Sequence, residues 1–427
     1  MKRFAIEKLL LWKDSRRRKP LIIEGARQVG KTWLVKEFAA RYYKNMAYVN
    51  FEEQVYLREL FKADFDTSRI IEALSAASHT VIVPGETLIF LDEIQEASGG
   101  ITALKYFYEN VPGQHVIAAG SLLGLELHRH SSFPVGKVQF MTLRPMCFLE
   151  FLDAVGEERL AGFISSKDWR NLDTFAPRLK ELLKQYYFVG GMPEAVLSFS
   201  ESRDWGEVRD IQNEILRSYD LDFSKHAPAE VVPRIRMLWN SLPSQLSKEN
   251  RKFIYGLVRQ GARAREYEMA LQWLSDGGLI YKVSNVSAPR VPLKSYEDAA
   301  IFKIFILDVG LLGAMSGLDS ATIVDGNRIF TEFKGALTEQ YVLQELMLNH
   351  EPYYYSKSNS QQEIDFLLQI AGRVVPVEVK AEENLKAKSL RQFVAENDCE
   401  TAYRISMSDY REESWMTNIP LYAVATI

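Results

Sequence analysis

The sequence predicts an α/β chain. A parallel sheet with a helical lid is followed by a three-helix segment closed by a β-ribbon, then by a second α/β domain. Three observations predict this. Between Pro20 and Arg144 short apolar runs alternate with stretches of helical periodicity. A glycine-rich turn falls directly between the first run and the first helix. Beyond residue 321 a helix precedes two strands that alternate apolar and charged side chains.

The apolar runs are Pro20–Glu24, Met46–Phe51, Thr87–Leu91 and His115–Ala119, and Lys31–Tyr43 reads as a helix with Trp33, Leu34, Phe38 and Ala39 on its apolar side. Right-handed crossovers between such strands leave their carboxyl ends along one edge of the sheet, where a ligand would lie. Phe148–Tyr187 reads as helical and closes on Gly190-Gly191-Met192-Pro193; Asp204–Leu221 is a further helix. Helices at Arg234–Leu242, Lys252–Arg259 and Arg265–Leu274, the turn Asp276-Gly277-Gly278 and the strand Leu279–Val283 make a winged-helix pattern. The last part has a helix at Thr331–Met347 and strands around Ile364–Leu368 and Val374–Lys380. The expected domains are therefore 1–205, 206–320 and 321–427.

Composition narrows the class. A chain of 427 residues with 47% apolar side chains can bury two or three cores. A net charge of −4 gives no global field to attract nucleic acid. Two widely separated cysteines, Cys147 and Cys399, fit a reducing compartment. The start of the chain does not resemble a secretory signal, and no run reaches the roughly 18 apolar residues of a membrane span. A cytoplasmic protein with no membrane partner is expected.

Gly25-Ala26-Arg27-Gln28-Val29-Gly30-Lys31-Thr32 spells G-x-x-x-x-G-K-[ST] between a strand and a helix. Glycines let backbone N–H groups curl around a β-phosphate at the positive end of the following helix, which starts Lys31-Thr32-Trp33. Lys31 would reach the β/γ oxygens, and the Thr32 hydroxyl would ligate Mg²⁺. Leu88–Leu91 is a buried strand ending in Asp92-Glu93. Asp92 would hold Mg²⁺ through water, and Glu93 would act as general base. Ser121, after the next strand, is either a γ-phosphate sensor or a helix cap. Arg144 and Arg129 are either arginine fingers or solvated surface. ATP and Mg²⁺ are thus the expected ligands.

These residues resemble a known family. Gly25–Thr32 with its inner Arg27-Gln28, Leu91-Asp92-Glu93-Ile94-Gln95 and Ala119-Gly120-Ser121-Leu122 are similar to the AAA-type ATPase domain of many bacterial and archaeal chains. Leu143-Arg144-Pro145, Gly190-Gly191-Met192-Pro193-Glu194 and Leu307-Asp308-Val309-Gly310-Leu311-Leu312 extend the likeness over nearly the whole chain. The resemblance, to the AAA_14/DUF4143 type, implies an ATPase domain followed by a winged helix. It also implies a restriction-endonuclease-like domain of unassigned function.

The C-terminal strands can be read directly. Val375, Val377 and Val379 share one face, with Glu378 and Lys380 on the other; Ile364, Phe366 and Leu368 leave Glu363 and Asp365 opposite. Asp365, Glu378 and Lys380 spell the D…E-x-K pattern of metal-dependent nucleases. Asp365 and Glu378 would hold Mg²⁺ with Glu339 assisting, while Lys380 activates the attacking water. Glu339 lies on the inward side of its helix, where a carboxylate needs a partner. Against this, E-x-K also suits an ordinary charged edge strand. Residues 321–427 hold 16 acidic and 10 basic side chains, which repels a phosphate backbone. The would-be recognition helix carries Glu266 and Glu268. Two functions compete: an ATPase whose nucleotide state gates a DNA- or RNA-binding or nuclease module, and an ATP-driven switch with an inert C-terminal domain acting on a protein partner. A homo-oligomer is a further arrangement, because AAA-type sites often take an arginine from a neighbour.

Overall fold

A computed structural model describes residues 1–120, 134–248, 252–319, 328–357, 362–382 and 387–427, with backbone only for 328–332. The chain divides into two compact units. One comprises Arg3–Arg144 and Asp276–Leu279; the other comprises Met1–Lys2, Pro145–Ser275 and Ile280–Ile427.

The first unit is a parallel α/β sheet. Its strands are β1 (Leu21–Glu24), β2 (Asn45–Asn50), β3 (Thr87–Asp92), β4 (His115–Ala119) and β5 (Gln139–Thr142), in the order β2-β3-β4-β1-β5. Helices α1 (Ala5–Asp14), α2 (Lys31–Tyr42), α3 (Thr67–Ser78) and α4 (Gly100–Asn110) accompany them. β3 and β4 are buried along their whole length, as unbroken apolar runs must be when both faces are covered. β5 alternates half-buried and exposed side chains at the sheet's edge and was not foreseen as a strand. Because β1 sits between β4 and β5, the chain leaves β1 towards one flank and returns on the other. That is the topological position at which a ligand binds beyond the strand ends. One expectation fails locally. Trp33 is 39% exposed, whereas Leu34, Val35, Phe38 and Ala39 form the buried face of α2. A step of about 100° per residue carries Trp33 off that face.

The second unit opens with helices α5 (Phe148–Ala154), α6 (Glu158–Ser165), α7 (Trp169–Val189), α8 (Pro193–Ser202) and α9 (Trp205–His226). The stretch expected to be helical from Phe148 to Tyr187 is broken twice. Gly156 (φ +86°) and Lys167 (φ +55°) turn left-handed after the first two helices, and the Asp168 side chain caps the third. Next come α10 (Val232–Leu246), α11 (Tyr255–Val258) and α12 (Ala264–Asp276). α11 is shorter than Lys252–Arg259. Lys252 instead bridges Lys303, and Phe253 donates its N–H to the Phe302 carbonyl, so this backbone is committed to a sheet.

That sheet has eight strands: β6 (Ile280–Val286), β7 (Glu297–Ile306), β8 (Tyr353–Ser356), β9 (Glu363–Ile370), β10 (Arg373–Val379), β11 (Tyr403–Ser406), β12 (Arg411–Glu412) and β13 (Thr417–Pro420). Its order is β12-β13-β11-β10-β9-β8-β6-β7, so the ribbon β6–β7 is continuous with the C-terminal strands through the Asn285–Tyr354 pair. Helices α13 (Val309–Met315), α14 (Arg328–Leu346) and α15 (Lys388–Asn397) complete the unit.

Glycine and a buried acid join its helices to this sheet. Asp308 is fully buried; its carboxylate accepts the N–H of Gly191 at 2.6 Å and that of Leu311 at 3.0 Å. A Cβ on Gly190 would lie 2.1 Å from Asp308 Oδ1, one on Gly191 2.0 Å from the Met146 carbonyl, and one on Gly310 2.6 Å from the Val189 carbonyl. Three backbone segments meet there with no room for side chains. Near this joint, Glu345 of α14 accepts the Phe148 N–H at 2.8 Å, and its other oxygen is buried without a hydrogen-bond partner.

Burial pushes the Glu345 carboxyl up to about 8 from an ordinary 4.5. The folded state therefore holds this proton while the unfolded chain releases it, so stability present at low pH is lost as pH rises towards 8. Glu345→Gln keeps an acceptor for Phe148 and has no proton to lose. Its melting temperature relative to wild type should climb between about pH 4.5 and 8 and level off above; a constant difference would refute the burial argument.

Candidate functional site

The loop after β1 is shaped by contacts that exclude side chains. Gly25 adopts φ +143°, and a Cβ there would come 2.2 Å from the Leu143 carbonyl. Gly30 (φ +91°) turns the chain into α2, whose first N–H groups are the positive end of that helix. Arg3, 6% exposed, braces the loop from below: it donates to the Val29 carbonyl at 3.0 Å and to the Arg144 carbonyl at 2.7 Å. Within the same unit Gly278 approaches the loop, its would-be Cβ 3.3 Å from the Ala26 nitrogen.

Lys31 is buried, and its ammonium donates to the carbonyls of Gly25 and Ala26, each at 2.8 Å. Burial lowers its pKa to about 8, against the opposing attraction of Glu93 and Asp92. An ammonium resting on two loop carbonyls is poised to exchange them for phosphate oxygens, which bind it more strongly. Thr32 donates its hydroxyl to Asp92 Oδ2 at 2.8 Å, and the Tyr48 hydroxyl donates to the same oxygen at 3.2 Å. Asp92 is 3% exposed, and burial raises its pKa. Glu93 follows in the left-handed region (φ +50°), and the Gln95 amide donates to its carboxylate at 2.5 Å. Parallel pairing of β2 and β3, with Asn50 opposite Asp92, brings Tyr48 to this corner.

The structure thus brings Gly25–Thr32, Asp92 and Glu93 together. Trp33, next to Thr32, is half exposed on the outer side of α2. Arg144 contributes its carbonyl to Arg3 beside the loop. Ser121 and Arg129 lie outside the described residues. Three contributors were not foreseen. Tyr48 needs knowledge of which strand neighbours β3; Arg3 acts from the far N-terminal end. Gln95 sits in the quoted Leu91–Gln95 motif without a spacing rule to give it a task.

The C-terminal carboxylates occupy a different environment. Phe366 pairs with Val377 in the antiparallel β9–β10 ladder, which brings Asp365 near Glu378. Asp365 accepts the Val379 N–H at 2.8 Å. Lys380 lies 2.7 Å from Glu378 Oε1, and Arg404, 2% exposed, sits opposite Glu378 on β11. Burial raises the Glu378 pKa against the pull of Lys380. Glu339 does face inward, but the side chain beside it is Lys303 of β7, 1% exposed, at 3.9 Å from Glu339 and 2.7 Å from Glu363. Among the described residues no three His, Cys, Asp or Glu side chains are grouped to hold a metal ion. Of the expected Mg²⁺ set, Asp365 and Glu378 thus sit at neighbouring positions of β9 and β10, while Glu339 lies beside Lys303.

Sheet order and loop define the class of this protein: a P-loop ATPase fold, with a second mixed sheet towards the C-terminal end. Three family models match in succession: an AAA domain over residues 17–152, a domain of unknown function (DUF8612) over 180–322, and a domain of unknown function (DUF4143) over 334–424. The chain is of the AAA_14/DUF4143 type. Among solved structures, a Walker-type ATPase of Pyrococcus abyssi aligns with 74% of this chain and 95% of its own at 16% identity and a TM-score of 0.44. The Aeropyrum pernix ORC1 protein, solved in complex with DNA, aligns over 73% and 90% at 14% identity and a TM-score of 0.28. Cdc6p from Pyrobaculum aerophilum aligns over 76% and 94% at 11% identity and a TM-score of 0.25. Likeness so remote says nothing of what this chain binds. No curated protein matches. No helix among the described residues is long and apolar enough to cross a membrane.

Tyr48→Phe removes one of two hydroxyl donors from a buried carboxylate oxygen. It should lower the stability of this unit by about 0.5–1.5 kcal/mol in urea unfolding without nucleotide. An unchanged midpoint would mean that Asp92 does not need the Tyr48 hydroxyl.

Proposed function

We propose that this chain binds ATP with Mg²⁺, hydrolyses it, and uses the nucleotide state as a switch for its C-terminal part. The observation that carries the reading is the Lys31–Thr32–Asp92 corner, where a buried ammonium on two carbonyls and a shared hydroxyl–carboxylate hydrogen bond flank the α2 N-terminus. The loop N–H groups and Lys31 would cradle the β- and γ-phosphates; Thr32, and Asp92 through water, would hold the metal. Mg²⁺ there supplies charge neutralisation of the transferred phosphoryl group. Glu93 takes the proton of the attacking water as its oxygen bonds to the γ-phosphorus and the bond to ADP breaks. Gln95 orients that carboxylate through the 2.5 Å hydrogen bond. Ser121 keeps its proposed place as γ-phosphate sensor.

For the output, two readings came from the sequence. The gated nuclease or nucleic-acid module draws on Asp365, Glu378 and Lys380, which share a neighbourhood on β9 and β10. The switch acting on a protein partner is supported better. The C-terminal carboxylates are met by the chain's own cations, and residues 321–427 are net acidic.

Lys31→Ala should weaken ATP binding by roughly 10- to 100-fold, the worth of a charge-assisted contact to phosphate. Glu93→Gln should bind ATP like wild type yet lose about 100- to 10,000-fold in kcat. Binding would be read by fluorescent-nucleotide titration and turnover by phosphate release. Full turnover in Glu93→Gln would remove it as base. Only protonated Lys31 attracts phosphate, so the on-rate of nucleotide to the free protein should fall as pH rises through about 8.

A further inference from the structure

The side chains around Glu339 disagree with a metal site in a specific way, independent of the ATPase reading. A Mg²⁺ ion needs several oxygens at about 2.0–2.1 Å with lone pairs free to point at it. Here Lys303 places its ammonium 2.7 Å from Glu363 and 3.9 Å from Glu339, at 1% exposure. It also lies 5.0 Å from the centroid of the Tyr354 ring, whose π-face favours a cation. On the neighbouring strands Val379 N–H takes an Asp365 oxygen and Lys380 takes a Glu378 oxygen. Arg404 lies beside Glu378 in the β10–β11 register.

Nor is Lys303 free to withdraw. Its backbone pairs with Val283 of β6 on one side and bridges Lys252 on the other, so its Cα is held from both edges of β7 while the side chain is buried against Glu363 and Glu339. Its neighbours Phe302 and Ile304 are buried apolar residues, which hold the strand against sliding. A one-residue slip would reverse every side chain of β7.

We infer that Lys303 is the resident, covalently attached cation of Glu339 and Glu363, standing against the Glu339 carboxylate that a divalent ion on this face would need, and that this domain is stable and acts without a metal. A buried carboxylate such as Glu339, with the half-buried Glu363 sharing the same ammonium, is costly without a cation, and one ammonium lowers that cost with no dependence on metal supply. The chemistry open to the face is then recognition through its polar side chains, not metal-assisted hydrolysis of a phosphodiester.

The test uses the full chain without nucleotide. Calorimetric Mn²⁺ titrations of wild type and of Glu339→Gln with Asp365→Asn should be indistinguishable up to millimolar metal. Uptake by wild type that these changes abolish would overturn the inference. Lys303→Met should lower the melting temperature of this unit by about 5–15 °C, the effect of leaving one side of a buried ion pair unmatched. Lys303→Arg should keep most of it. Adding Glu339→Gln and Glu363→Gln to Lys303→Met should restore stability, because the repelling charges go with the cation. A Lys303→Met protein as stable as wild type would refute the role given to the ammonium. If Lys303→Met does not fold, the Mn²⁺ comparison decides by itself.

Discussion

The Asp308 carboxylate is the constraint on which the larger unit hangs. It is buried where α7 ends, α13 begins and the segment before α5 passes, and it accepts N–H groups from Gly191 and Leu311. Burial pushes its pKa up to about 6, while those N–H groups pull it back down. The geometry tolerates it only because Gly190, Gly191 and Gly310 let three backbones close to distances that a Cβ would forbid. Gln212 extends the joint by donating to the carbonyls of Phe188 and Val189, which α7 leaves unpaired at its end. The helices from 145 to 226 and the eight-stranded sheet belong to one unit, and this crossing is one of the places where they meet.

The same economy of buried charge shapes both candidate sites. At the nucleotide corner, Lys31 and Asp92 are both buried and each is satisfied locally, the first by loop carbonyls and the second by Thr32 and Tyr48. All of these are hydrogen bonds to groups of the loop and of β2 and β3, with no opposite charge among the described residues paired directly to either. On the C-terminal face Glu363 and Glu378 are met by the ammonium groups of Lys303 and Lys380, and Arg404 stands opposite Glu378 in the β10–β11 register. A similar set of residue types is therefore satisfied by carbonyls and hydroxyls in one unit and by ammonium groups in the other.

Much of the first unit was legible in the residues. The four apolar runs coincide with β1 to β4 within a residue or two; for β3 and β4 the reason is that a fully buried strand needs an unbroken apolar run, whereas β2 alternates half-buried and buried side chains. The phosphate loop was legible because its glycines answer to a local backbone requirement, seen at Gly25 and Gly30. Where local signals compete with distant partners, the reading failed. Residues 252 and 253 have helical periodicity but pair with β7, and Trp33 has an apolar side chain that stays 39% exposed. The alternation at Val375–Val379 was correct for the valines and silent on Glu378, which is buried as well. A period-two pattern says which side of a strand a residue takes, not whether that side is covered.

By itself the sequence determined that the chain carries the parallel sheet of a P-loop ATPase fold, with a loop of defined spacing and two acids at a strand end. That information is local, because a phosphate loop and a buried strand are specified by neighbours along the chain. Only the tertiary structure decided that Tyr48 and Arg3 join the nucleotide corner, that Asp308 locks the Gly190-Gly191 turn, and that Lys303 lies against Glu339 and Glu363. Each of these pairs is far apart in sequence, and its meeting depends on strand order, which residue spacing does not encode. For a buried charge, the partner that folding delivers decides whether it stays open to a ligand or is closed by the protein itself.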